Sequence, residues 1–216
     1  MKIAIVGATG ATGLCLVQQA VDAGHEVVAI VRNVSKLTIQ HENLKAVEGS
    51  IFSVDSLVSH FTGCDAVMSC LGSETFRNVT LYSDSIKVII EALNKAQVSR
   101  FVVMTSWGTS TRAKDGDRSP FLLEWVFKPI LLSSKLRDMS RLEKCLEDSH
   151  DINYTVVRPP ILRDDPVTED EFKVEIDRQY VPGLGYPKIN RADVARFMLD
   201  SLKTDTYDKK MVAIAV

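Results

Sequence analysis

The sharpest chemical signal in the chain is Gly7-Ala8-Thr9-Gly10-Ala11-Thr12-Gly13. Glycines at this spacing permit a turn with positive φ and let the backbone come close to a charged group. At the start of a helix, unbonded N–H groups and the helix dipole favour an anion, and a dinucleotide pyrophosphate suits such a turn. Thr12 is placed as a hydroxyl cap for that helix. The spacing is Gly-x-x-Gly-x-x-Gly, not the Gly-x-Gly-x-x-Gly of many dehydrogenases, so its meaning depends on a strand before it and a helix after it.

Both neighbours are present. Lys2–Val6 reads as a buried strand, and Leu14, Val17, Gln18 and Val21 share one face of a following helix. A second strand, Glu26–Val31, ends at Arg32, where an Asp or Glu would accept from the ribose hydroxyls of NAD. An arginine there, with Lys36 one helical turn on, offers a planar fork and a second cation to a 2′-phosphate, so NADP(H) is expected over NAD(H). Further strands at Leu44–Val47, Ala66–Cys70, Phe101–Met104 and Tyr154–Val157 alternate with helices near Val54–Phe61, Leu81–Ala96 and Lys135–Asp148. That rhythm predicts an α/β protein, a single-domain Rossmann fold spanning 1–216 with a doubly wound parallel sheet and helices on both faces. After Arg158 the pattern loosens into a Pro-Pro step, an acidic stretch from Asp164 to Glu171 and a Pro/Gly/Tyr-rich segment, all read as loop or lid. A last helix, Arg191–Leu202, and a strand, Met211–Ala215, follow. Substrate-side loops are expected mainly in 107–134 and 159–190, over the carboxyl ends of the strands.

The composition suits this reading. In 216 residues, 45% are apolar and 25% charged, which excludes a disordered or collagenous chain. The formal charge of -2 gives no reason to expect nucleic acid. The most apolar stretch in the later part of the chain, Phe121–Leu132, is broken by Glu124, Lys128 and Pro129 and is shorter than the ~20 residues of a membrane span. Cys15, Cys64, Cys70 and Cys145 form no Cys-x-x-Cys pair, and His25, His41, His60 and His150 stand alone, so no metal site is expected. A reducing, cytoplasmic setting and a small-molecule partner follow.

In order along nearly the whole chain, GATGATG, Val31-Arg32, LGS at Leu71–Ser73, TSWG at Thr105–Gly108, RPP at Arg158–Pro160 and the closing RFMLDSLKTDTYD resemble the atypical short-chain dehydrogenase/reductases. Within them the chain is most similar to the NADPH-dependent flavin reductases, also known as biliverdin-IXβ reductases, and their bacterial NAD(P)H-binding relatives. The resemblance implies a monomer, or at most a weak homodimer. NADP(H) would be the cofactor, and flavins, tetrapyrroles or quinone-like molecules would be planar acceptors, with flavin a substrate rather than a prosthetic group. It implies that Gly7, Thr9, Gly10, Thr12 and Arg32, with Ala11, Gly13 and Lys36 beside them, hold the phosphates. Ser50, where the family more usually has Asp, and Ile51 would border the adenine. Leu71 and Gly72 would pass under the nicotinamide, and Pro159, Pro160 and Ile161 would wall it.

The broader superfamily uses Tyr-x-x-x-Lys on the helix after the fifth strand, but none of the five tyrosines has a lysine four residues on. The resemblance assigns the two positions to Lys135 and Met139, and the flavin-reductase relatives lack the tyrosine as well. Two histidines on the substrate side of the mammalian-type enzyme correspond to Met139 and Ile161, which makes for a more apolar pocket. Ser106, just past the fifth strand, is the hydroxyl expected at the reacting centre, or else a strand-end cap. Trp107 is either a stacking wall for a flat acceptor or a core tryptophan. Phe121–Leu132 is a roof, a subunit contact or a packed helix. Lys135, Arg137 and Arg141 read as a solvated helix face, Cys70 as a small buried hydrophobe, and Arg191 with Asp193 as helix cap and surface ion pair. A non-catalytic NADP(H) sensor is the competing reading, and a sugar-nucleotide epimerase is disfavoured by the missing tyrosine.

Overall fold

The computed structural model describes residues 1–109, 133–184 and 187–216. Among them the elements run β1 (Lys2–Val6), α1 (Ala11–Asp22), β2 (Glu26–Val31), β3 (Leu44–Glu48), α2 (Val54–Phe61), β4 (Ala66–Ser69), α3 (Leu81–Ala96), β5 (Arg100–Met104), α4 (Ser133–Glu147), β6 (Asn153–Arg158), β7 (Ile161–Arg163), β8 (Lys173–Ile176), β9 (Lys188–Asn190), α5 (Arg191–Asp200) and β10 (Lys210–Ala215). The main sheet has the order β3-β2-β1-β4-β5-β6-β10-β8. Every pairing in it is parallel except the edge pair β10–β8. Strands β7 and β9 form a separate parallel pair.

The central strands are apolar throughout because both of their faces are covered. Alternation sends Ala4 and Val6 of β1 into a core with α2, α3 and α4, whereas Ile3 and Ile5 enter a second core with α1 and α5. Strand β5 repeats the division, Phe101 and Val103 to one side, Val102 and Met104 to the other. A one-residue slip would exchange these faces, so the register Ile5↔Ala29 and Ile5↔Met68 is fixed by burial.

The strands expected from sequence are present, each within a residue or so of its expected ends. The region after Arg158 differs: it is not simply loop, since β7, β8 and β9 lie within it and β8 extends the main sheet. Runs of three or four residues in an acidic, proline-rich context carry too little periodicity to be read. Phe121–Leu132 lies outside the described residues, as does most of the 107–134 loop.

Candidate functional site

Strand order reverses between β2-β1 and β4-β5, so the loops leaving β1 and β4 diverge and open a crevice at the carboxyl edge of the sheet. A cleft of about 1690 Å³ occupies it. It is larger than the ~300–1,000 Å³ of pockets for drug-sized ligands, which leaves space for two molecules side by side. Each strand from β1 to β6 contributes its trailing residues: Gly7, Arg32, Ser50 and Ile51, Leu71 and Gly72, Ser106 and Trp107, and Pro159 with Pro160 and Ile161.

The glycine loop is shaped by close backbone approach. Gly7 has φ +77°, and a Cβ there would lie 2.7 Å from the Cys70 carbonyl carbon and oxygen, so the β1 and β4 loops pass too closely for any side chain. Gly13 does not line the cleft. A Cβ on it would lie 2.1 Å from the Gly7 oxygen, so its expected part in holding phosphate is replaced by letting α1 dock against the loop. Thr12 is not the cap: α1 starts at Ala11, Gly10 holds the N-cap position without a side-chain hydrogen bond, and Thr12 is buried in the first turn. The earliest N–H groups of α1 therefore have no side-chain acceptor and face the cleft that Thr9, Gly10, Ala11 and Thr12 line. This arrangement fits a pyrophosphate.

At the end beyond β2, the Asn33 side chain accepts from the Ser35 N–H at 2.9 Å and the Ser35 hydroxyl at 2.7 Å, building the 3₁₀ turn Val34–Lys36. That turn places Arg32 and Lys36 on the cleft, both exposed and neither in an ion pair or side-chain hydrogen bond among the described residues. Ser50, Ile51 and the exposed Phe52 border the same end. Phe52 was not singled out from sequence; an isolated apolar residue carries no periodic signal.

The opposite end is lined by Lys135, Leu136 and Met139 of α4 together with Ser106, Trp107, Pro160 and Ile161. Ser106 is half-buried, and its hydroxyl has no partner among the described residues. Trp107 proves to be a packed side chain. Its ring meets Tyr180 edge-on at 5.5 Å beside Val181, and its backbone N–H donates to the Pro159 carbonyl at 2.9 Å, so the indole is packed with its own N–H buried and without a partner among the described residues. Lys135 is not on a solvated face: Nζ donates to the Ser73 carbonyl at 2.5 Å and stands 3.9 Å over Phe76, and burial pulls its pKa down. Arg137 and Arg141 do face solvent. Cys70 is buried with Sγ 3.8 Å from Met198 Sδ, and burial pushes its thiol up to about 12.

Two buried carboxylates support this end, and sequence gave no signal for either. Asp138 accepts from the Tyr82 N–H at 2.8 Å, the Ser83 N–H at 3.3 Å and the Ser83 hydroxyl at 2.5 Å. It thus caps α3 from across the structure, where Thr80 makes no side-chain cap. Tyr82 in turn takes the Ser73 N–H at 3.1 Å, and burial holds its phenol above the usual range. Glu143 pairs with Arg158 at 2.7 Å and also accepts from the hydroxyls of Thr105 at 2.8 Å and Thr109 at 2.7 Å, pinning both sides of the Ser106 turn. Asp193 is likewise buried, and its ion pair is with Arg196 Nη2 at 3.7 Å rather than with Arg191. It accepts from Thr168 and from Asn190, while Arg191 pairs instead with Asp164 at 2.5 Å.

A parallel sheet whose reversal point carries a glycine loop, an uncapped helix start and two free cations defines a Rossmann dinucleotide-binding protein. The chain belongs to the NAD(P)H-binding family, whose profile matches residues 7–205. It is 26% identical over 204 residues to the uncharacterized protein YwnB of Bacillus subtilis, covering 94% of this chain and 92% of that one. A candidate NADH-flavin reductase from Streptococcus pneumoniae superposes with a TM-score of 0.81 at 26% identity, covering 100% of this chain and 99% of that one. A short-chain dehydrogenase/reductase from Veillonella parvula, solved with NADP, shares the fold at a TM-score of 0.79 and 19% identity, over 100% of this chain and 94% of that one. The family is of oxidoreductase type, and its cofactor is a nicotinamide dinucleotide. Among the described residues no group of acidic, histidine or cysteine side chains could hold a metal, and no helix is long and apolar enough to cross a membrane.

Proposed function

We propose that the protein is an NADPH-dependent reductase that passes hydride to flavins such as FMN and riboflavin, or to related conjugated acceptors such as quinones or biliverdin. The observation that carries this reading is on α4, where Lys135 and Met139, the positions that the resemblance gives to tyrosine and lysine, both line the cleft. A thioether cannot activate a phenol, and Tyr82 keeps its proton in a buried setting with Ile86 four residues on. A simple carbonyl needs a proton placed on oxygen as hydride arrives, whereas a flavin or quinone spreads the charge and can take its proton from water.

The reduced nicotinamide supplies the hydride when bound. Arg32 and Lys36 engage the 2′-phosphate, the first turn of α1 holds the pyrophosphate, and Ser50 with Ile51 borders the adenine. Leu71, Gly72 and the Pro159–Ile161 run wall the nicotinamide and leave one face to the acceptor. Ser106 orients the carboxamide or hydrogen-bonds the reduced acceptor. Similarity to the streptococcal candidate NADH-flavin reductase supports the flavin, although its dinucleotide is NADH. The preference for NADPH rests on Arg32.

Loss of NADPH absorbance with FMN, riboflavin, dichlorophenolindophenol, simple quinones and biliverdin tests the reading. Turnover of a flavin or quinone is expected; tight NADPH binding with no turnover on any of them would favour a sensor. NADPH should bind about 10–100-fold tighter than NADH, the worth of a charged hydrogen-bonded contact, and Arg32→Ala should remove the difference. Equal affinities in the unaltered protein would refute the preference.

A further inference from the structure

Arg191 is the first residue of α5, a position that opposes a cation because the helix dipole is positive there. Its charge is therefore placed by something other than its own helix. The acidic residue of that first turn, Asp193, is committed to Thr168, Asn190 and the Arg196 guanidinium. Arg191 instead pairs Nη1 with Asp164 Oδ1 at 2.5 Å, and the exposures are unequal: 25% for the arginine side chain, 78% for the aspartate. The guanidinium sits against the protein, while the carboxylate stands in water, where such pairs are weak.

The element beside this pair is α1. Gln19 of α1 donates to the Ala192 carbonyl at 2.8 Å, joining the two helices at the head of α5. One turn back from Gln19 is Cys15, and one turn back again is Ala11, on the same side of α1. Burial raises the Cys15 thiol, and beyond that Arg191 lowers it and Asp164 raises it, so both charges lie beside this side of α1. Arg191 and Ala11 line the same cleft.

We propose that Arg191 is a pyrophosphate-binding residue held in reserve by Asp164, so that an arriving dinucleotide takes the carboxylate's place on the guanidinium. The proposal rests on the dinucleotide reading of the cleft. Phosphate oxygens match the arginine fork in two parallel hydrogen bonds, and they arrive where the uncapped N–H groups of α1 already favour an anion. Asp164 is a competitor for the site, and its release would leave the segment leading to β8 held by Thr168 on Asp193, the Pro166 carbonyl on Asn190 and the Asp170 carbonyl on Arg196.

Calorimetric titration of the full chain with NADPH, NADH and ADP-ribose tests this, because the three share a pyrophosphate and only the first has a 2′-phosphate. Arg191→Met should weaken all three by about 10-fold or more, and Arg191→Lys by less, since it keeps charge but loses the fork. Asp164→Asn should tighten all three about 2–5-fold by removing the competitor. Arg32→Ala should weaken NADPH alone. Unchanged binding by Arg191→Met, or weaker binding by Asp164→Asn, overturns the proposal while leaving the dinucleotide site intact. If the unaltered protein binds none of the three, both fall. Melting without ligand checks the fold, and should Arg191→Met fail to fold, the sign of the Asp164→Asn effect decides.

Discussion

Removing the charge of Glu143 should cost more stability than its distance from solvent and cofactor would suggest. The carboxylate is 4% exposed and its partner Arg158 is 3% exposed, with Nε at 3.0 Å from one oxygen and Nη2 at 2.7 Å from the other. Glu143→Gln preserves the shape, but one of the two oxygens becomes an NH₂ facing a guanidinium that has only donors. Breaking a buried pair on one side costs about 3–5 kcal/mol, because the remaining charge stays buried without compensation. For a chain of this size that is a fall in Tm on the order of 10 °C, readable by circular dichroism. Arg158→Met and Glu143→Leu, each alone, should cost a similar amount. The double change Glu143→Leu with Arg158→Met should cost much less than the sum, since no charge is then stranded. Because Thr105 and Thr109 hang from the same oxygen, Glu143→Gln should also lower kcat with a flavin acceptor while NADPH affinity stays near that of the unaltered protein. A loss below about 1 kcal/mol for either single change, or strict additivity in the double, would refute the claim that the pair acts as one unit.

Other expected outcomes follow from the same geometry. Gly13→Ala forces a methyl group against the rigid Gly7 carbonyl, so denaturant melts should show a loss of about 3 kcal/mol or more together with weaker NADPH binding. With its thiol near 12, Cys70 carries about one thiolate in ten thousand at pH 8, so iodoacetamide on the native protein should leave it unmodified in peptide mass spectra until pH or denaturant is raised. Ser106→Ala should lower kcat about 10–100-fold with NADPH affinity unchanged; an unchanged kcat would remove that hydroxyl from the reacting centre.

The frame of the site was legible in the sequence because its signals are local. A strand, a glycine loop and an amphipathic helix follow one another without a gap, and Arg32 stands at a strand end that periodicity alone could locate. What was not legible depends on residues distant in the chain. Asp138 looks like one more polar position on a surface helix until the start of α3 is brought to it, and Glu143 looks the same until Thr105 and Arg158 arrive from β5 and β6. Lys135 looks solvated until the Ser73 carbonyl comes within 2.5 Å. The misreading of Thr12 came from composition: a threonine near a helix start suggests a cap, but the N-cap lies two residues earlier, at Gly10, whose lack of a side chain is what leaves the N–H groups available.

The small sheet of β7 and β9 brings Ile161 beside Lys188 and Arg163 beside Asn190, so the chain leaves the Rossmann frame and re-enters it through two adjacent doorposts. The described residues between those posts are tied back to the frame at several points: β8 pairs with β10 at the sheet's edge, the Arg178 carbonyl accepts from Arg158, and Tyr180 and Val181 pack with Trp107. A change within this stretch would therefore be felt at the sheet's edge and at the Trp107 side of the cleft, while β1 to β5, on the far side of β6 from these ties, would keep their pairing. The doorposts thus act as a hinge line in the wiring of the chain: what lies between them can reach the acceptor end of the cleft without passing through the end that Gly7 and Arg32 line.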